Sequence, residues 1–495
     1  MPIIGAHTLD VSQGSTYIYN ALDACLTHEI DEALKHLSQD DTIYNFSKAM
    51  QAPALEMMLR GFRVDPGSRE IALQRTKAKL EATLKWLDAL AHAVWDKGVN
   101  PNSGKQLKDL FYNHMGIPPV TQFVKGVVTT PMDRKVLEKL DAYFHARPIV
   151  NAVLLARDLA KTQQVLETEV DPDWRWRCSY NIAGTNTGRW SSSKSAAGTG
   201  SNFQNITDEL RRIFIADDGF KICGIDLEQA EARDVGWFCG VVLGDWSYLD
   251  AIETGDVHTF VARMCWPELP WNGDLKADRK VAERRFYRHF TYRDATKRLS
   301  HGSNYLGKPQ TMSSHTKIPL NIVKPFQDRY FASFPCIPRM HHWVAGELQT
   351  KQYLVNVFGR RRDFFDRPNE DETLRSAVAY LFQSATGDRL NLGLYRVWKE
   401  MGTRVQILAQ LHDALYFQYR LDDNEDEIIA QAKRLMSVPL THTLPSGAVR
   451  VYDIPRDVVT GFNWSHRYRL REDGSVEDWN PKGLDKYRPQ AALAA

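Results

Sequence analysis

Apolar residues recur at helical spacing through much of the first half of the chain. Between residues 15 and 38 they fall at Tyr17, Ala21, Ala24, Ile30 and Leu34, which predicts a helix. Residues 44–62 and 68–97 read the same way, the second with Leu73, Leu80, Leu84, Leu87 and Leu90 among Lys and Glu. Gly61 to Gly67 reads as a short strand ending in a turn. Ser103 is placed to cap the helix that follows the Asn100–Ser103 loop, and Ile149 to Val165 predicts a further helix. Ser191 to Asn202 reads SSSKSAAGTGSN, small and polar, which predicts a flexible loop. Beyond it Phe220 to Ile225 predicts a strand, with a helix from Glu228 to about Cys239. Helices alternate with loops as far as Phe334. A hairpin around Gly359, a long helix over 372–400, two strands with a turn between Val405 and Tyr419, a helix over 425–436 and a strand over 449–460 complete the pattern. The last fifteen residues read as frayed. The class is α+β, with helices dominant first and strands gathered later.

A length of 495 residues implies two to four domains or subdomains. Hydrophobic residues at 43% and charged ones at 25% are ordinary for a soluble enzyme. The net charge of +2 does not itself imply a nucleic-acid partner, so that case needs local clustering. Cys25, Cys178, Cys223, Cys239, Cys265 and Cys336 are scattered with no C-x-x-C pair. That argues against a zinc site or a disulfide framework and fits a reducing cytosol. No run of about 18 apolar residues exists to span a membrane. Residues 1–10 lack the pattern of a secretory signal.

Candidate chemistry starts in GIDLEQAEARD, residues 224–234. An apolar strand runs into Asp226, and Glu231 follows in the first turns of the next helix. In Gln410 to Phe417, Asp413 lies between two apolar runs, at or near a hairpin tip. Two aspartates at the ends of adjacent strands suit Mg²⁺, which takes few carboxylates and keeps sites for water and phosphate oxygens. Either aspartate alone reads as an ordinary cap or turn residue. A third segment, residues 293–307, changes that. On a helix Arg293, Lys297, His301 and Tyr305 fall at i, i+4, i+8 and i+12, on one face. Residues 279–298 hold eight Lys and Arg against two acidic residues. Two cations followed by two rings can take phosphate oxygens and abut a base, although a solvated basic face has the same pattern.

Together these segments resemble, in order, the three polymerase motifs of family A DNA polymerases, the DNA polymerase I type. The likeness extends further. Gly184 to Ser192 with Asn202 to Ile206 resembles the family's T-x-T-G-R-x-S-S … N-L-Q-N-I signature, and Leu59 to Asp65 resembles the start of its thumb. Val99 to Leu107 resembles its N-x-N-S-x-x-Q-L stretch, and Gly461-Phe462-Asn463-Trp464 its terminal G-x-N-W. Residues 45–470 lie within the resemblance.

It implies a right-hand architecture: a palm with an antiparallel sheet, helical fingers and a thumb. The expected divisions are an exonuclease-domain remnant at 1–44, thumb at 45–165, palm at 166–245 and 346–495, and fingers at 246–345. It implies template-directed addition of deoxynucleotides to a primer 3′ end with two Mg²⁺ ions, Mn²⁺ being an expected substitute. Asp226 and Asp413, with the Leu227 carbonyl, would hold the metals. Glu231 would be the steric gate against a ribose 2′-hydroxyl. Arg293, Lys297 and His258 would contact the triphosphate, Lys297 also as proton donor to pyrophosphate. His301 and Tyr305 would border the nucleotide, Tyr305 beside the templating position. Arg189, Gln204, Asn205, Arg375, Gln383 and His412 would face primer-template DNA. The expected partners are primer-template DNA and dNTPs, with room for a separate exonuclease or processivity factor. The expected state is a monomer in the cytoplasm of a bacterial or phage-infected cell.

Several positions depart from the family pattern. His301 stands where Phe or Tyr is usual, which predicts some discrimination against dideoxynucleotides. Ala414 replaces the Glu after the catalytic Asp, and Ala379 an Asn four residues before Gln383. The loop at 191–201 is longer than usual, and the stretch between Asn205 and Arg211 is shorter. Tyr19 to Asp23 resembles the Y-x-x-x-D motif that closes a 3′–5′ exonuclease domain, but only eighteen residues precede Tyr19. No proofreading by this chain alone is therefore expected. Two other readings remain at this point. A single-subunit RNA polymerase shares both aspartates, but a gate at Glu231 argues against it. A catalytically dead DNA-binding fold is disfavoured by intact Asp226, Asp413, Arg293 and Lys297.

Overall fold

A computed structural model of the chain describes residues 16–35, 41–124, 127–288, 290–470 and 475–489. The expectations for residues 1–10 and for 490–495 lie outside these. Among the described residues no helix is long and apolar enough to cross a membrane.

A five-stranded antiparallel sheet carries the site. Its spatial order is Val405–Leu411, Ala414–Arg420, Phe220–Leu227, Arg456–Gly461 and Asp485–Lys486. The inner strands are near-continuous apolar runs because they are buried on both faces: Ile222, Cys223, Ile225, Ile407, Leu415 and Phe417 are all inaccessible. Leu390, Leu394 and Val397 of the long helix Asp371–Met401 join the same core, as do Ile428 and Ile429 of Glu425–Leu435.

Phe62, Phe203, Phe214 and Trp464 form an aromatic knot in that core, with Phe62 and Trp464 stacked at 4.8 Å. Tyr416 of the sheet meets Trp464 at 5.5 Å. Each buried ring contributes roughly 1.5–3 kcal/mol, so the knot is a strong tie between segments distant in sequence. It explains why the stretches near residues 62, 203 and 464 belong together.

Two further cores are helical. Val261, Leu299, Phe326, Tyr330 and Val344 pack with Ala377 and Tyr380 from the first half of the long helix. Leu87, Leu107, Phe111, Val136, Ile149 and Val153 pack around the helices Pro66–Trp95 and Arg147–Leu166. The Ser103 hydroxyl caps the short helix after it, accepting from the Gln106 N–H at 3.3 Å.

The sequence pattern misleads in four places. The helix expected over 44–62 is two, Asp41–Ala49 and Gln51–Arg60, parted at Met50. Ser191–Lys194 is a strand paired with Cys178–Asn181, not a flexible loop. Main-chain pairing needs no apolar side chain, and Ser192 is buried with its hydroxyl on Asn202. The strand expected over 449–460 is two. Val449–Tyr452 pairs in a hairpin with Leu440–Thr443, and Arg456–Gly461 joins the central sheet. Pro455 lies between them and has no N–H to give a ladder. Within the end that reads as frayed, Asp485–Lys486 adds the edge strand.

Candidate active site

Asp226 is the penultimate residue of its strand, and its direct partner on the neighbouring strand is Ala414. Asp413 occupies the two-residue turn that joins Val405–Leu411 to Ala414–Arg420. The Leu227 N–H donates to the Asp413 carbonyl at 3.2 Å, so the two aspartates occupy adjoining ends of the sheet. His412, the other turn residue, has φ +54°. A side chain held in that region marks backbone that the surrounding structure over-determines.

Both carboxyls are pushed up. Burial raises Asp226 to about 7, with Asp413 and Asp457 adding like-charge repulsion and Lys297 opposing. Asp226 nevertheless opens to the cleft and is more than a third exposed. Burial also raises Asp413, against the pull of a backbone N–H and Arg189.

The Lys297 helix, Tyr292–Asn304, lies across the cleft. A capping box at Thr291 and Asp294 starts it. Its inner face is Ala295, Thr296, Leu299, Ser300 and Ser303, all buried, which turns Lys297 and His301 outward. A cavity of about 710 Å³ results, lined by Asp226, Leu227, Glu231, His258, Lys297, His301 and Asp413. Seven of the sequence-predicted residues thus share one space.

Glu231, in the first turn of helix Ala230–Leu243, is the meeting point of three segments. One carboxylate oxygen accepts from the Arg189 guanidinium and the other from the Tyr305 hydroxyl. Burial and the Glu231 charge hold the Tyr305 phenol well above its usual range. His301 packs against Tyr305 with ring centroids 4.7 Å apart.

Arg293 does not line the cavity. It forks onto Asp256, with Nε at 2.6 Å from one oxygen and a terminal nitrogen at 3.2 Å from the other. Asp256 also caps helix Val257–Cys265, which carries His258. Burial and the Arg293 charge depress His258 to about 4, so its ring is neutral at pH 7. Its Nδ1 is buried and makes no hydrogen bond among the described residues.

The DNA-facing candidates lie outside the cavity. Arg375 and Gln383 fall on one side of the long helix with Ala379 between them; Arg375 is exposed, and Gln383 stays partly accessible between buried Phe382 and Ser384. Arg189 packs against Gly387 of that helix, where an added Cβ would meet its Cγ at 3.5 Å. The Gln204 side chain donates to the Trp190 carbonyl at 3.1 Å, and Asn205 and His412 are exposed.

Sequence reasoning missed Asp256 as the partner of Arg293, and Asn304 and Gln229 as cavity walls. Of these only Asp256 carried a signal, as a polar cap directly before the apolar helix of His258.

The candidate donors in this cavity are all oxygens, the two carboxylates and the Leu227 carbonyl. Among the described residues no three His, Cys, Asp or Glu side chains group to hold a metal. A pair of destabilised carboxylates in an open cleft fits Mg²⁺, which leaves most of its shell to water and phosphate.

Residues 70–464 match the family model of DNA polymerase family A. The thermostable DNA polymerase I of Thermus thermophilus is 25% identical over 444 residues, covering 83% of this chain and 48% of that protein. DNA polymerase I of Mycobacterium bovis is 27% identical over 440 residues, covering 81% of this chain and 44% of the relative. The chain thus spans about half the length of the curated relatives it matches. Among solved structures, the POL domain of Pol1 from M. smegmatis, in complex with DNA primer-template and dNTP, superposes with a TM-score of 0.70 at 21% identity. That alignment covers 88% of this chain and 73% of that one.

Proposed function

The chain belongs to DNA polymerase family A and has its right-hand fold, and from that premise we propose that it extends a primer 3′ end on a DNA template by two-metal-ion nucleotidyl transfer. The observation that carries the reading is the joining of Asp226, Asp413, Glu231, Lys297 and His258 around one cavity.

In this reading the core around Leu107 and Val136 is the thumb, within 45–165, although Met50 to Val64 pack into the sheet core. The fingers are 246–345, and the palm is 166–245 with 346–495. Residues 1–44 include the segment that resembles the close of an exonuclease domain. Asp226 and Asp413 with the Leu227 carbonyl would hold two Mg²⁺. When bound, these ions lower the pKa of an attacking hydroxyl and offset charge on departing pyrophosphate.

The chain's own residues do the rest. Lys297 presents an ammonium to the phosphates and is the proton donor to the leaving group. Neutral His258, which lines the cavity, is a hydrogen-bond partner for a phosphate oxygen. Arg293 reaches the triphosphate by leaving Asp256. Glu231, fixed by Arg189 and Tyr305, closes the sugar pocket where a 2′-hydroxyl would sit. Arg375, Gln383, Gln204, Asn205 and His412 face the duplex. The chain acts as a monomer, in the cytoplasm of a bacterial or phage-infected cell.

Primer extension on a DNA template tests this. Extension that needs Mg²⁺ and is lost in Asp226→Asn, with DNA binding retained, is the expected result. No extension by the wild type in Mg²⁺ or Mn²⁺ would overturn it, and preference for NTPs over dNTPs would redirect it to an RNA polymerase. We further propose that this chain alone does not proofread. Clear shortening of a labelled, mismatched primer without dNTPs would sink that part.

A further inference from the structure

The strand that carries Asp226 has a neighbour on each side. Its direct partner on one side is Ala414 and on the other is Asp457. Direct cross-strand partners project to the same face of a sheet, with Cβ atoms roughly 4.5–5.5 Å apart. One row across the sheet therefore reads Ala414, Asp226, Asp457. The apolar residue flanks Asp226 on the Asp413 side, and a carboxylate flanks it on the other.

We infer that Asp457 is a positioning residue for Asp226, raising the affinity of the Asp226 end of the site for a divalent cation from outside the ligand sphere. This rests on the metal-site reading above. Asp457 is not itself grouped as a third ligand, since no such trio occurs among the described residues. Its effect runs through the field at Asp226. A like charge beside a metal-binding carboxylate costs energy while the site is bare, and the incoming cation relieves that cost.

Two charged groups flank Asp457. Glu228, two residues after Asp226, adds a second carboxyl beside it. Lys486 Nζ stands 3.4 Å from its Oδ1. Lys486 belongs to the edge strand Asp485–Lys486, beyond residue 464 where the family match stops. This late segment therefore reaches the catalytic sheet and places a cation where it subtracts from the charge of Asp457. The two side chains act on the metal site with opposite sign, and that opposition is what an experiment can read.

The test is titration of the metal-free protein with Mn²⁺, following free Mn²⁺ by electron paramagnetic resonance. Asp457→Asn is expected to weaken binding about three- to tenfold, below the usual range for hydrogen-bonded outer partners of a metal. Asp457→Glu is expected to recover most of it. Lys486→Ala is expected to tighten binding about two- to threefold, because an exposed ammonium is partly screened. Urea midpoints verify that each variant folds. Unchanged affinity in Asp457→Asn, or shifts of the same sign in Asp457→Asn and Lys486→Ala, would overturn the inference. Asp226→Asn separates the two levels. If it abolishes Mn²⁺ binding while Asp457→Asn does nothing, only the role of Asp457 fails. If the wild type binds no Mn²⁺, the metal site and this inference fail together.

Discussion

In the metal-free protein Asp226 is partly buried beside Asp413 and Asp457, with Lys297 opposing them. Replacing Asp226 by Asn removes the cost of burying that charge together with the repulsion, and keeps the shape, so the variant is expected to be more stable than the wild type once the carboxyl would be ionised. The sign follows from the direction in which the pKa moves. The folded carboxyl holds its proton up to about 7, whereas the unfolded one releases it near 3.8. Between those values the folded state binds more protons, so stability falls as pH rises through the window. The cost is absent below about pH 4 and complete above about pH 7. For a fully enclosed carboxyl, the difference between 3.8 and about 7 would correspond to about 4 kcal/mol. Asp226 is more than a third exposed to the cleft, so water screens most of this and about 1 kcal/mol is expected.

Urea unfolding in EDTA, followed by tryptophan fluorescence, measures the gap. Near zero is expected at about pH 4.5, and about 1 kcal/mol in favour of Asp226→Asn at about pH 8. Saturating Mg²⁺ at the higher pH is expected to reverse the order, because only the wild type gains binding free energy. An Asn variant less stable in EDTA at both pH values would refute the reasoning, as would the same gap at both.

Glu231→Ala is expected to lower discrimination between a deoxynucleotide and its ribonucleotide by about 10²-fold or more, read from the ratio of kcat/KM values; an unchanged ratio would show that the gate lies elsewhere. Lys297→Ala is expected to reduce the single-turnover rate by about 10²-fold or more, and a loss in KM alone would deny it a role in proton transfer. His301 brings an imidazole to the cavity wall; under the proposed function dideoxynucleotides are expected to be used less well than dNTPs, and near-equal use would contradict that. Arg389 is buried against Asp234 at 3.2 Å, and Asp234 also takes the Tyr452 and Thr386 hydroxyls at 2.9 and 3.0 Å. Arg389→Ala is expected to cost about 3–5 kcal/mol in urea unfolding, and a loss under about 1 kcal/mol would mean the pair is not needed.

What could be read from the sequence was local. Asp226 and Asp413 stood out because each interrupts an apolar run, and the Lys297 face because helical spacing is fixed. Pro455 is a local sign as well, and it splits the strand expected over 449–460. The contacts that complete the site are not local. Tyr305 and Glu231 are 74 residues apart, and nothing in either segment names the other. Ser191–Lys194 looks like a loop because its pairing is supplied by Cys178–Asn181. Asp457 reads as an ordinary strand residue until the sheet order sets it beside Asp226, more than two hundred residues earlier.

The charge pattern of the cleft ties these pieces together. A chain with net charge +2 has no overall attraction for a polyanion. The carboxylates of Asp226 and Asp413 line the cleft at one end of the sheet, with Asp457 next to Asp226 in the same row, and Lys297 lines it from the helix that also carries Arg293. Under the proposed function, a triphosphate carrying divalent cations would satisfy both walls at once, the cations meeting the carboxylates and the phosphate oxygens meeting the Lys297 ammonium. Either component alone would leave one wall uncompensated. Nucleotide and metal are therefore expected to bind with positive coupling. Arg293 links that coupling to conformation, because its guanidinium is now occupied by Asp256 and can serve phosphate only by exchanging one anion for another.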